Sequence, residues 1–79
     1  MPIIFLVDDD PGVRRSLARV LREEGFEVQC YESAEAFLGR PDTRARGCLV
    51  LDVTMPGLDG LALQQQLRRD GQTLPIVFL

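Results

Sequence analysis

Residues 48–57, Cys-Leu-Val-Leu-Asp-Val-Thr-Met-Pro-Gly, constrain the fold of this chain more than any other stretch. An apolar run leads without a break onto a carboxylate, and Pro56-Gly57 then turn the chain. A strand buried on both faces reads as such a run. Turn residues directly after the aspartate end the strand there. Asp52 is thereby placed at the carboxyl end of a central strand, where open α/β sheets collect ligands and chemistry.

Three other segments read as strands. Ile3–Val7 is β-branched and aromatic, reads as buried on both faces, and ends on Asp8-Asp9-Asp10. Phe26–Tyr31 alternates apolar and polar residues, as a half-exposed edge strand does. Leu74–Leu79 reads as a fourth buried strand, with Pro75 near its start, where a missing N–H is tolerated. Helices separate them. Asp10 as N-cap and Pro11 at the first helical position open the first. Its apolar face is Val13, Leu17, Val20 and Leu21, while Arg14, Arg15, Arg19, Arg22 and Glu23 fall mostly on the other face. Gly25 ends it. Ser33 caps a short helix, Ala34 to Leu38, stopped by Gly39. Arg40 to Gly47 reads as a solvated loop. Asp59 caps a third helix, roughly Gly60 to Asp70, with Leu61, Leu63 and Leu67 as its apolar positions, and Gly71 stops it. The order β-α-β-α-β-α-β predicts parallel pairing with right-handed crossovers.

Seventy-nine residues make at most one small domain, and 46% apolar residues predict a packed core. The net charge is -3, with nine arginines and neither lysine nor histidine, which leaves no excess of cations for a nucleic-acid backbone. The lack of histidine excludes a histidine nucleophile, a histidine base and any His-ligated metal within these residues. The lack of lysine excludes a Schiff base and a lysine phosphate clamp. Cys30 and Cys48 fit no zinc spacing, and both are read as buried free thiols in apolar runs, with a disulfide or a reactive site as the alternative. No secretory signal pattern and no apolar stretch of bilayer-spanning length occurs, so a cytoplasmic protein is expected.

Asp8, Asp9 and Asp10 follow the first strand, and Asp52 ends the third. If these strands are parallel neighbours, their carboxyl ends lie about 5 Å apart. Crowded carboxylates repel one another and call for a cation. With oxygen donors alone, a hard divalent ion is selected, Mg²⁺ foremost. Such an ion holds phosphoryl oxygens, and a carboxylate can itself be a nucleophile that forms an aspartyl-phosphate. Asp10 and Asp59 are read as helix caps. For Asp8, Asp9 and Asp52 the plain alternative is three turn aspartates at strand ends, and Thr54 has an equally plain reading as a turn residue. The residues alone leave both open.

Three blocks carry a resemblance: Phe5-Leu6-Val7-Asp8-Asp9-Asp10, Leu49-Val50-Leu51-Asp52-Val53-Thr54-Met55-Pro56-Gly57-Leu58-Asp59-Gly60, and Leu74-Pro75-Ile76-Val77-Phe78-Leu79. In order and spacing they resemble the receiver domain of two-component response regulators. Tyr31-Glu32-Ser33-Ala34-Glu35-Ala36-Phe37-Leu38 resembles the FixJ-like members in particular. The resemblance implies a flavodoxin-like (CheY-like) three-layer α/β fold with a parallel sheet of order 2-1-3-4, incomplete at that point. By position, Asp52 resembles the phosphoacceptor, which takes a phosphoryl group from a sensor histidine kinase. Asp9 resembles the direct Mg²⁺ ligand, joined by the Asp52 carboxylate and the backbone carbonyl of Thr54, and Asp8 the acidic residue that reaches the metal through water. Met55-Pro56-Gly57 resembles the turn that shapes the pocket. The family is a signalling family, with at most Mg²⁺-dependent self-phosphorylation and self-dephosphorylation, and it switches an output domain, often a transcriptional one that binds DNA.

A full receiver continues with a Ser or Thr after strand four, another helix, a fifth strand ending in lysine, and a final helix. By that pattern, residues 1–79 are the N-terminal portion of a receiver, lacking the last helix-strand-helix and impaired in phosphorylation and switching. Strand four is then an open edge, and self-association through it and through the face of Cys48, Val50 and Ile76 to Leu79 is expected. Two rival classes follow. One is an interaction or dimerisation module that never takes phosphate. The other is a haloacid-dehalogenase-like phosphohydrolase, which calls for a second Asp two residues after the first, where this chain has Thr54.

Overall fold

Four short parallel strands form one sheet: β1 (Ile3–Val7), β2 (Glu27–Tyr31), β3 (Gly47–Leu51) and β4 (Ile76–Phe78). The structure is a computed structural model, and it describes residues 3–40, 46–52, 60–71 and 74–79. The strand order is β2-β1-β3-β4, the order the resemblance implies. Register is set along β1, where Val7 stands opposite Tyr31 on one side and Leu51 on the other. β1 and β3 are thus the inner strands. Gly47 opens β3 against β1, and a Cβ there would overlap the carbonyl of Ile3, so the pairing needs a glycine.

Three helices connect the strands: α1 (Pro11–Glu23), α2 (Ala34–Leu38) and α3 (Gly60–Arg69). Asp10 is the N-cap of α1, its Oδ1 accepting from Gly12 N at 2.8 Å and Val13 N at 3.2 Å. Gly25 follows the helix at φ 94°, and Gly71 follows α3 at φ 75°, both in the left-handed region that favours glycine. Ser33 caps α2, its Oγ accepting from Ala36 N at 3.0 Å. Asp59, proposed to cap α3, lies outside the described residues.

Side chains alternate across the strands and build two cores, one on each sheet face. Phe5, Val7, Leu49 and Leu51 face Phe37 of α2 and Leu63 and Leu67 of α3. Leu6 and Val28 face Ala18 of α1, with Ile4, Leu17, Leu21 and Val50 packed around them. This is the three-layer arrangement. It also corrects the sequence reading of several faces. The sheet-facing residue of α1 is Ala18, while Val13 and Val20 are exposed. At about 100° per residue these valines lie roughly 140–160° round the helix from Ala18. Arg14 and Arg22 flank that inner stripe instead, donating to the carbonyls of Asp8 at 2.8 Å and Val28 at 3.0 Å. Leu61 is 64% exposed, because Leu63 and Leu67 define the inner face of α3 and Leu61 points nearly opposite.

The strands are less covered than continuous apolar runs imply. Ile3 and Ile4 of β1 are half-buried, and in β3 so are Cys48 and Val50. In β4 only Ile76 packs into a core, on the α3 side, while Val77, Phe78 and the following Leu79 are exposed. α1 lies over β1 and β2, and among the described residues nothing covers this face beside β3 and β4. Cys30 is exposed rather than buried, since edge strand β2 has a neighbour on one side only. Both cysteines are free. Arg40, read as part of a solvated loop, is buried. Its guanidinium lies 4.0 Å from the centroid of the Phe37 ring and 5.2 Å from that of Phe5, and Nη1 donates to the carbonyl of Phe37 at 2.9 Å. The aromatic faces attract the cation, and its stem fills apolar space.

Candidate functional site

The carboxyl ends of β1 and β3 carry the aspartates. Asp8 N donates to Tyr31 O at 3.1 Å, and Asp52 N donates to Val7 O at 3.3 Å. Each residue is therefore tied to a neighbouring strand by its backbone, and its side chain starts from a fixed point. The carboxylates of Asp8, Asp9 and Asp52 converge, with one oxygen from each within 4.8 Å of the others. The sequence reading brings these three together on the condition that their strands are neighbours, which the sheet meets. Thr54, the fourth member of the expected set, lies outside the described residues, as does Met55-Pro56-Gly57.

The three differ in surroundings. Asp9 is exposed and Asp52 half-buried. Asp8 is 1% exposed. Its Oδ1 accepts from Asp10 N at 2.9 Å, while its buried Oδ2 has no hydrogen-bond partner. A buried carboxylate oxygen left unsatisfied is costly. A cation at the meeting point of the three carboxylates would relieve both that cost and their mutual repulsion. The donors are all oxygen, which suits a hard ion that keeps several waters and takes few protein ligands. The residues present therefore fit Mg²⁺. Asp10 does not join the cluster, because its carboxylate is committed to capping α1.

One residue of this region escaped the sequence reading. The sequence pattern groups Arg14 with the residues mostly on the outer face of its helix, yet its Nη1 reaches back to the carbonyl of Asp8. The signal was there: a cation near a helix N-terminus opposes the macrodipole and asks for an explanation.

Comparison with known proteins gives this geometry its setting. Residues 4–79 match the response regulator receiver domain family. The response regulator protein TodT of Pseudomonas putida is 42% identical over 77 residues, which cover 98% of this chain and 34% of TodT. The transcriptional regulatory protein FixJ of Bradyrhizobium diazoefficiens is 38% identical over 76 residues, covering 96% of this chain and 37% of FixJ. Among solved structures, the response regulator protein TrrA from Thermotoga maritima, in complex with Mg²⁺-BeF, superimposes with a TM-score of 0.81 at 32% identity. That match covers 99% of this chain and 68% of TrrA. The chain belongs to the response regulator receiver domain family. It spans about a third of the length of the curated relatives it matches. The family is one of two-component signalling domains, not a classical enzyme family.

Proposed function

We propose that this chain is a phosphoacceptor receiver segment, in which Asp52 takes a phosphoryl group from a sensor histidine kinase. The observation that carries the reading is the convergence of three carboxylates at the ends of two adjacent strands, with a buried oxygen of Asp8 left unsatisfied. Asp9 and Asp52 would hold Mg²⁺ directly, with the backbone carbonyl of Thr54, and Asp8 would reach it through water. Bound there, the ion would neutralise charge on the phosphoryl oxygens. An Asp52 carboxylate oxygen attacks phosphorus, the bond from phosphorus to the donor breaks, and the acyl phosphate on Asp52 is the product. Attack by water later returns the carboxylate and releases phosphate. Asp52 suits this role because its backbone is anchored to β1 while its side chain stays half-exposed. TrrA was crystallised with Mg²⁺-BeF, a mimic of such a phosphoryl group, which supports the reading by likeness.

The same reading makes residues 1–79 the N-terminal portion of a receiver, places it in the cytoplasm, and couples it to a transcriptional output domain that contacts DNA. The family pattern includes a lysine that contacts the phosphoryl group, and none occurs in these residues; we take acceptance by this segment alone to be impaired. The test is incubation with acetyl phosphate and MgCl₂, followed by intact mass. A gain of one phosphoryl group in only a fraction of the protein, abolished by Asp52→Asn, is the expected result. An equal gain in Asp52→Asn overturns the assignment.

The exposed β4 side supports a second role, self-association. β4 has a strand partner on one side only among the described residues, and beside it lies an apolar groove of about 570 Å³ lined by Ile4, Phe26, Cys48, Val50 and Val77. An open edge next to an apolar face favours pairing with a second copy. Sedimentation velocity over a hundredfold concentration range tests it. A single monomeric species throughout rules it out.

A further inference from the structure

We propose that Arg14 is a positioning residue for the carboxylate site, fixing the Asp8 peptide so that the free oxygen of Asp8 is held toward the cation. The inference rests on the Mg²⁺ site proposed above. Arg14 lies in the first turns of α1, where a positive charge opposes the helix dipole, so its placement there needs a compensating role. Its Nη1 donates to the carbonyl oxygen of Asp8 at 2.8 Å. Among the described residues Arg14 makes no ion pair with a carboxylate; its partner is the Asp8 backbone oxygen, and Asp8 Oδ2 is left without a hydrogen bond.

Three bonds then fix the Asp8 residue. Its N–H is held by Tyr31 of β2, its carbonyl by Arg14, and its Oδ1 by the N–H of Asp10, which is itself locked by capping α1. Only Oδ2 is uncommitted, and it is buried. The Arg14 bond is the one tie in this set made by a side chain from the helix back to the strand end. It spans six residues of sequence and couples the seat of α1 to the orientation of the carboxylate. Positioning groups behind a metal ligand set its geometry without touching the ion.

The charge of Arg14 and its bond act in opposite directions on a divalent cation. Removing a positive charge near the site favours cation binding, while freeing the Asp8 peptide disfavours it. The bond dominates in this proposal, because the guanidinium is spent on a carbonyl and the unpartnered carboxylate oxygen of the same residue is buried, where misorientation cannot be repaired by solvent.

The experiment is MgCl₂ titration of the full 79-residue chain, followed by amide NMR shifts, for the unsubstituted protein, Arg14→Ala and Arg14→Lys, with thermal unfolding of each in chelator. The expected result is affinity about tenfold weaker in Arg14→Ala, with Arg14→Lys recovering part of it. A folded Arg14→Ala that binds Mg²⁺ equally well or more tightly overturns the proposal, whatever its thermal stability. If Arg14→Ala does not fold, Arg14→Lys decides: affinity unchanged from the parent, with the carbonyl bond lost, has the same effect. No saturable site in the unsubstituted chain overturns the Mg²⁺ reading itself, and this inference with it.

Discussion

The backbone N–H of Asp52 donates to the carbonyl of Val7 at 3.3 Å, so the carboxylate after β3 is tied to the strand that carries Asp8 and Asp9. The three negative charges are held together by the sheet in spite of their repulsion. Two measurable consequences follow. Mg²⁺ at ten times its dissociation constant should raise the unfolding free energy by about 1.4 kcal/mol. Asp52→Asn should lose most of that increment, and in chelator it should be at least as stable as the parent, since one of three repelling charges is gone. Urea unfolding with and without MgCl₂ checks both signs.

Asp10 has a different job from its neighbours. Its carboxylate caps α1 through Gly12 and Val13, and Asp10→Ala should cost about 1 kcal/mol. The loss should be much the same with and without Mg²⁺, which separates a cap from a ligand in the same urea titrations.

Gly47 marks where β3 meets β1. A Cβ at this position would overlap the carbonyl of Ile3, and the atom in the way is backbone, which cannot swing aside. Gly47→Ala should destabilise by about 2 kcal/mol. Calorimetry would show a lowered Tm, whereas an unchanged Tm would mean that the strands separate there at little expense.

Leu61 and Leu67 belong to one helix but lie about 120° apart round it, one exposed and the other buried. Leu67 is 2% exposed in the core below α3, and Leu67→Ala should cost about 3 kcal/mol. Leu61→Ala should stay within about 0.5 kcal/mol. Equal losses would mean that α3 is rotated from the orientation described.

What the sequence by itself determined is local or topological. The strand that leads onto Asp52, the cap at Asp10-Pro11, the stops at Gly25 and Gly71 and the parallel pairing follow from burial period, turn chemistry and the handedness of crossovers, which act over a few residues or constrain connections generally, while the strand order was implied by the family resemblance. The convergence of Asp8, Asp9 and Asp52 was legible on one condition, that their strands are neighbours: parallel neighbours put their carboxyl ends side by side. Tertiary structure alone decided which part of each apolar stripe is covered. Val13, Val20 and Leu61 are as apolar as Leu17 and Leu63, and hydrophobicity does not say which of them a sheet will reach. It also decided the fate of the cations. Arg14 and Arg40 are indistinguishable in sequence from solvated arginines. A strand-end carbonyl holds one, and two aromatic rings beneath α2 hold the other, so their roles depend on partners that only the folded chain brings within reach.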